Sequence, residues 1–221
     1  MERMASTTRT APTVGFDLDM TLIDSRPGIH ACYTELSART GTHVDADLAV
    51  TRLGPPLEQE LAHWFPAERV AATADLYRSL YPATAIAATP ALAGAREAVA
   101  AVRAAGGRAI VVTAKYEPNA KLHLEHLGIE PDAVIGDLWA EQKAVALREH
   151  GASVYVGDHL GDIRGARAAG AHSVAVATGP YGVEELRAAG ADTVLADLTE
   201  FPAWLAAYRE APEGPADAAR A

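Results

Sequence analysis

From Thr13 to Leu18 the chain is apolar at nearly every position, Thr13-Val14-Gly15-Phe16-Asp17-Leu18, which predicts a short strand buried on both faces. The pattern then changes period. Over 27–83 no strand is expected: Ile29, Cys32, Tyr33 and Leu36 fall on one face of a helix that Pro27 can open and Gly41 closes. Further helices are predicted over 45–53, 56–64 and 67–81, separated by Leu53-Gly54-Pro55-Pro56 and Pro66 and ended by Pro82. From Pro90 onward helix and strand alternate strictly, with strands at 108–112, 133–135, 153–156 and 173–176, helices at 91–105, 118–127, 140–150 and 161–169, and a last helix–strand–helix piece over 183–208. Arg-Ala-Ala-Gly recurs at 103–106, 167–170 and 187–190, each time putting Gly just past a helix and Arg in its last turn. The expectation is an α/β fold, a doubly wound parallel sheet at 13–25 and 84–209, interrupted after its first strand by an all-helical insertion at 26–83. Residues 1–12 and the Pro/Ala/Gly-rich 210–221 read as a disordered arm and tail.

Composition narrows the class of partner. A chain of 221 residues is ample for one large domain or a core with an insertion. Its net charge of −10 argues against nucleic acid and anionic membranes, which would repel it, but leaves room for a small anionic ligand at a local positive site. Cys32 is the only cysteine, so an intramolecular disulfide is excluded and a reducing compartment fits. Residues 1–12 have no apolar run of the secretory type, and no stretch approaches a membrane span, so a cytoplasmic protein, monomer or dimer, is expected.

Chemistry gathers at four strand ends. In Asp17-x-Asp19-x-Thr21 two carboxylates are crowded at the end of the first strand, where they repel each other unless a cation lies between them. A hard divalent ion such as Mg²⁺ is the natural solution, the alternative being a loop of two solvated aspartates and a helix cap. Thr113, ending the strand at 108–112, can donate to an anionic oxygen together with the N–H groups that follow, or can be a capping threonine. Lys143 stands in the first turns of a helix, where the macrodipole disfavours cations, in a chain with three lysines against sixteen arginines. A compact ammonium suits one phosphate oxygen and a carboxylate; a solvated helix lysine is the alternative. Gly157-Asp158-His159-Leu160-Gly161-Asp162 places a second acid pair at a strand-to-helix turn, which is otherwise an N-cap and a helix-start acid. Ligands of such sheets bind beyond the carboxyl ends of the strands, where the strand order reverses.

An Asp pair, a hydroxyl, an ammonium and a second Asp pair, in that order, resemble the haloacid dehalogenase superfamily of phosphohydrolases. The insertion, Asp24-Ser25 and the loop Gly54-Pro55-Pro56-Leu57 resemble the branch of phosphoglycolate phosphatase and β-phosphoglucomutase. Two positions depart from many phosphoglycolate phosphatases: Met20 stands in place of Gly, and Ala144 in place of the Pro that follows the lysine. The resemblance implies a core strand order of 3-2-1-4-5 and a helical cap over the site. It implies hydrolysis of a small phosphorylated metabolite, a phosphoglycolate-like ester or a sugar phosphate, through an aspartyl-phosphate. Asp17 would be the nucleophile and Asp19 the general acid and base. Mg²⁺ would sit on Asp17, the backbone carbonyl of Asp19 and Asp158, with Asp162 behind them orienting Lys143 or a metal-bound water. Thr113, Lys143 and the Leu18 and Ala114 N–H groups would hold phosphoryl oxygens. A phosphomutase uses the same residues and is the nearest rival, and a non-catalytic phospho-ligand binder or a receiver-like signalling domain is more remote. Asp19 and the second acid pair disfavour a dehalogenase.

Lesser candidates carry bland alternatives. Arg52, with Gly54 in the cap loop, can set substrate specificity by reaching a substrate carboxylate or second phosphate, or is a solvated helix end. His159 borders the site or is a polar turn residue. His123 and His126, three apart on a helix with no third ligand in view, are expected as a surface pair rather than a metal pair. Cys32 is expected in the core.

Overall fold

The computed structural model describes residues 11–211. Six parallel strands, β1 (Thr13–Phe16), β2 (Arg108–Val112), β3 (Ala133–Ile135), β4 (Ala152–Gly157), β5 (His172–Val176) and β6 (Thr193–Leu195), form one sheet in the order β3-β2-β1-β4-β5-β6. The order 3-2-1-4-5 is therefore present, extended by the strand of the last helix–strand–helix piece. The order reverses at β1, which pairs with β2 on one side (Phe16 beside Val111) and β4 on the other (Phe16 beside Val156). Asp17, Thr113 and Asp158, each just past its strand, consequently end on three neighbouring strands.

Burial on both faces explains the unbroken apolar runs. Val14 and Phe16 of β1 meet the layer of α5 (Ala95–Ala104), α6 (Glu117–Leu127) and α10 (Phe201–Glu210) through Val99, Leu124 and Phe201. Tyr155 and Ile110 point the other way, onto α7 (Lys143–Glu149) and α8 (Leu160–Ala169), and α9 (Val183–Ala188) joins that layer through Leu186. Each Arg-Ala-Ala-Gly ends its helix as expected, with Gly106, Gly170 and Gly190 in the left-handed region at φ 75°, 76° and 88°.

Between β1 and β2 lie α1 (Arg26–Thr40), α2 (Ala46–Ala49) with a 3₁₀ turn over Val50–Arg52, α3 (Leu57–Leu61) and α4 (Ala67–Thr84). They enclose an apolar cluster of their own, with Ile29, Cys32, Leu36, Leu61, Tyr77 and Tyr81 at its centre. Cys32 is in the core as expected, and burial pushes its thiol up to about 11.

Several helix boundaries differ from the sequence reading: α3 ends at Leu61 instead of residue 64, the helices expected over 45–53 and 140–150 each include a 3₁₀ turn, and two further differences have a clear cause. α4 does not stop before Pro82 but runs through it to Thr84. A proline so close to a helix end removes one backbone bond, and the last turn is held by Ala85 N–H donating to Tyr81 (2.9 Å) and the Thr84 hydroxyl donating to Leu80 (3.0 Å). The helix expected from residue 91 begins at Ala95, since Gly94 first takes a left-handed turn against the backbone of Leu198 and Thr199. Of the arm and tail expected as disordered, residues 1–10 and 212–221 lie outside the described residues. Pro12 accepts a hydrogen bond from Arg108 N–H (3.1 Å), and Glu210 is the last residue of α10.

Candidate active site

Three carboxylates meet at the reversal point. Asp17, Asp158 and Asp162 are all buried, and one oxygen of each lies within 4.8 Å of the others. Lys143, with no exposed surface, bridges two of them: its Nζ donates to Asp162 Oδ1 (2.7 Å), Tyr155 Oη (2.8 Å) and Asp17 Oδ1 (3.0 Å). Tyr155 Oη in turn donates to the Val112 carbonyl (2.7 Å), so a tyrosine read from sequence only as strand filling is the floor of the site. Lys143 is a structural surprise only as a helix residue. It opens α7 after a 3₁₀ turn at Ala140–Gln142, and three polar partners hold it there against the helix dipole.

Around this centre the backbone is pinned from several elements. Asp158 Oδ1 accepts from the Thr21 hydroxyl (3.0 Å), giving the threonine of the first motif its purpose. Thr178, beyond β5, donates from Oγ1 to the Met20 carbonyl (2.6 Å), and Met20 itself sits at φ 57°. That left-handed turn is the physical reason glycine suits this position better than methionine. At Gly179 a side chain would fall on the Asp158 carboxylate, so glycine alone permits the approach. Thr178 and Gly179 lie in a Thr-Gly-Pro turn that sequence pattern alone marks only as a loop.

Electrostatics differ sharply between the acids. Burial raises the Asp17 carboxyl to about 7, Lys143 pulling it down while Asp162 and Asp19 push it further up. Burial and the Asp162 and Asp17 charges also hold Asp158 well above the usual carboxylate range. With one ammonium among three carboxylates, negative charge is under-compensated, and a divalent cation is the hard-oxygen partner that fits such a donor set. Asp17 and Asp158 are the oxygens available for it, because both carboxylate oxygens of Asp162 are engaged, Oδ1 by Lys143 and Oδ2 by the His159 N–H (3.0 Å).

Asp19 faces elsewhere. Its carboxylate is bound by Lys115 Nζ at 2.8 and 3.1 Å, and although burial raises its pKa, the Lys115 ammonium outweighs that and leaves it below the usual range. Lys115 also lies over the Tyr81 ring (4.8 Å to the centroid), and Tyr81 Oη is 3.0 Å from His123 Nε2. The expected surface pair of histidines is thus half wrong. His123 is fully buried, edge-on to Tyr81, and burial with the nearby Lys115 charge lowers its pKa to about 3, so it is a neutral packing residue joining α6 to α4. Sequence pattern alone does not single out Lys115; its place two residues after Thr113 is the available signal.

Thr113 is buried, and its Oγ1 accepts from the Lys115 N–H (3.2 Å), which stiffens the turn carrying Ala114. Leu18 is buried as well, its carbonyl accepting from the N–H groups of Leu22 (2.9 Å) and Ile23 (3.1 Å) in the turn after β1. A cavity of about 330 Å³ opens between Asp19 and Lys115 on the sheet side and the α1–α4 helices above. Arg52 and Gly54 both line it. Arg52 is half-buried and not free: it donates from Nε and Nη2 to Glu60 at 3.0 and 2.5 Å. Gly54 stands at φ 125°, where a Cβ would come within 2.7 Å of the His159 ring, so this loop reaches the core beside α8. His159 caps α8, its Nδ1 accepting from Gly161 N–H (3.0 Å), with Trp139 and Tyr181 packed around its ring.

Known proteins are similar to this chain in sequence and fold. The family model described as haloacid dehalogenase-like hydrolase matches residues 14–167, and a second, HAD-hydrolase-like, matches 142–201. The chain is 33% identical over 195 residues to Tyrosine-protein kinase PtkA of Mycobacterium tuberculosis, covering 81% of this chain and 67% of that one. It is 30% identical over 209 residues to Probable phosphatase IndB of Dickeya dadantii, covering 86% and 91%. Among solved structures, a "predicted phosphatase" from Clostridium acetobutylicum superposes with a TM-score of 0.76 at 25% identity over 89% of this chain and 99% of that one. A haloacid dehalogenase-like family hydrolase from Streptococcus pneumoniae gives 0.75 at 25% identity, covering 89% and 97%.

Proposed function

The chain belongs to the haloacid dehalogenase-like hydrolases, and from that premise we propose that it is a Mg²⁺-dependent phosphatase, cleaving a small phosphomonoester through a phosphoryl group carried on Asp17. The observation that carries this reading is the buried Asp17 carboxylate, held by Lys143 at 3.0 Å at the point where strand order reverses. In this reading the core comprises 13–25 and 84–209, and the helical segment 26–83 is a cap closing over it; the separate apolar cluster of α1–α4 supports that division.

Asp17 attacks phosphorus as the oxygen–phosphorus bond to the leaving alcohol breaks. Lys143, Thr113 and the Leu18 and Ala114 N–H groups hold the phosphoryl oxygens while charge redistributes. Asp19 then takes a proton from the water that attacks phosphorus, releasing inorganic phosphate and restoring the Asp17 carboxylate. The Lys115 contact keeps Asp19 ionised, the form this second step needs; in the first step Asp19 must carry a proton to the leaving oxygen, which requires that the pair open when substrate binds. Asp17, the Asp19 backbone carbonyl and Asp158 would hold a Mg²⁺ ion, which would supply the positive charge that lets an anionic carboxylate meet an anionic ester. Asp162 does not ligate in this scheme; it holds Lys143.

The name of the mycobacterial relative, a tyrosine kinase, marks the second reading, in which a hydroxyl instead of water receives the phosphoryl group, as it would also in a sugar phosphomutase. A panel of phosphorylated metabolites distinguishes them. Inorganic phosphate is expected to appear with Mg²⁺, to cease with EDTA and to return when Mg²⁺ is added back. Full turnover in metal-free buffer contradicts the mechanism, and transfer to an added acceptor without phosphate release favours the second reading.

The raised acids give the metal a pH signature. A carboxyl whose folded pKa lies above its unfolded value contributes stability that is complete below the unfolded value, 3.8 for Asp17, and is lost as pH rises through the folded one, about 7. Asp158 is shifted in the same direction. Asp19, shifted down, acts only on acidification below the ordinary carboxylate range. The metal-free protein is therefore expected to lose melting temperature between about pH 5 and pH 8, and Mg²⁺ to raise it more at the upper end. A Mg²⁺ effect equal at both ends, or larger in acid, contradicts the assignment of these acids to the ion.

A further inference from the structure

The far wall of the cavity is built in a way the chemistry of the near wall does not require. Two arginines face it, and each is pinned between a carboxylate and a ring. Arg52 donates twice to Glu60 and lies 5.6 Å from the Trp64 ring centroid, while Trp64 Nε1 donates to the same Glu60 (2.9 Å). Arg78 donates from Nη2 to Glu58 (2.5 Å) and lies 5.2 Å from the Tyr116 ring centroid, while its buried Nε has no hydrogen-bond partner among the described residues. Asp137 adds a further acid to the lining, so carboxylates outnumber cations there. The remaining wall is largely apolar, with the Tyr33, Tyr77 and Tyr81 rings packed against one another at a tilt and Ile29 and Leu53 beside them in the lining.

A second phosphate or a carboxylate on the substrate needs an unoccupied guanidinium, and Arg52, held at two nitrogens by Glu60 beside the Trp64 ring, is firmly occupied, whereas Arg78 is held by Glu58 at one nitrogen only. To bind such a group at Arg52, the cavity would have to break a charge-assisted pair and leave Glu60 facing the incoming anion, and at Arg78 the anion would lie against Glu58. An uncharged leaving group needs none of this and gains apolar contact with the tyrosines. We infer that the substrate is a phosphomonoester whose leaving group carries no second anionic group and has an apolar or ring-bearing body, and that Glu60 sets this selectivity by neutralising Arg52, with Glu58 beside Arg78 adding negative charge that an incoming anion would meet. The inference rests on the phosphatase reading for where phosphate sits, and it turns away from phosphoglycolate and bisphosphates as substrates.

Because turnover itself tests the phosphatase reading, the inference is tested by binding. Benzylphosphonate and 3-phosphonopropionate, which no hydrolase can turn over as esters, are titrated calorimetrically into the Mg²⁺-loaded full chain. The wild-type protein is expected to bind benzylphosphonate at least about tenfold more tightly. Glu60→Gln keeps an acceptor for Trp64 but frees the Arg52 charge, and is expected to tighten 3-phosphonopropionate by about tenfold while benzylphosphonate stays within about twofold. Glu58→Gln makes the same test at Arg78, should Glu60→Gln not fold. Equal or tighter binding of 3-phosphonopropionate by wild type overturns the inference, as does a ratio unmoved in both variants, or failure of both ligands to bind. Absence of phosphate release from every ester, with the binding preference intact, overturns the phosphatase reading and not this one.

Discussion

Asp17→Asn is expected to lower phosphomonoester turnover by roughly 10⁴–10⁶-fold, the scale on which loss of a covalent nucleophile acts. An amide cannot carry the phosphoryl group, and nothing nearby replaces it: Asp162 is engaged at both oxygens and Asp158 is held by Thr21. The substitution keeps an oxygen acceptor for Lys143 and removes one of three crowded carboxylates, so the metal-free variant should melt no lower than wild type at neutral pH. That separates lost chemistry from lost fold. Asp19→Asn should behave differently although it lies two residues away. With a nitrophenyl ester, whose leaving group departs with little help, the first step should survive in part, and the overall loss should be about 10²–10⁴-fold, the usual worth of a general acid–base group. A variant pair with equal losses on good and poor leaving groups alike contradicts the division of labour between the two aspartates.

Lys143→Met carries the largest expected effect on stability. Its ammonium is wholly buried and is the shared partner of Asp17, Asp162 and Tyr155, so removing it leaves a carboxylate cluster without its cation. Breaking a buried pair from one side costs about 3–5 kcal/mol, or a fall on the order of 10 °C in melting temperature for a chain of this size. The fall should shrink in acid, where the orphaned acids take up protons, and Mg²⁺ should recover part of it. Lys143→Arg should not restore the wild type, because a planar guanidinium cannot occupy a point held by three partners at 2.7–3.0 Å. A thermal denaturation series with and without Mg²⁺ checks this, and a shift of less than about 1 kcal/mol means that the cluster does not depend on Lys143.

Much of this centre was legible because each part sits at a strand end and strand ends are easy to read. An apolar run closing on Asp17, another on Thr113 and a third on Asp158 point to one place once the sheet is parallel and doubly wound. Lys143 was visible as a rare lysine at the wrong end of a helix. What sequence concealed is pairing across elements. Nothing in the spacing of Arg52 and Glu60, or of Arg78 and Glu58, distinguishes a cation waiting for a ligand from one already held. His123 looked like half of a surface pair because its burial comes from Tyr81, contributed by a helix far away in sequence. Pro82 misplaced the end of α4 because a proline's helix-breaking tendency is local, whereas the turn around it is kept by neighbours on both sides. Gly179 escaped because the reason for it, the Asp158 carboxylate, comes from another loop.

The central claim, that phosphoryl passes through Asp17, is tested most directly by mass spectrometry of protein quenched in acid within one turnover of a nitrophenyl ester. Asp19→Asn keeps the nucleophile but lacks the base for the second step, so its chain should transiently gain the mass of one phosphoryl group, and fragmentation should place it on Asp17. Asp17→Asn treated alike should gain none. A phosphoryl group mapped to Asp158, or one carried equally by both variants, contradicts the account.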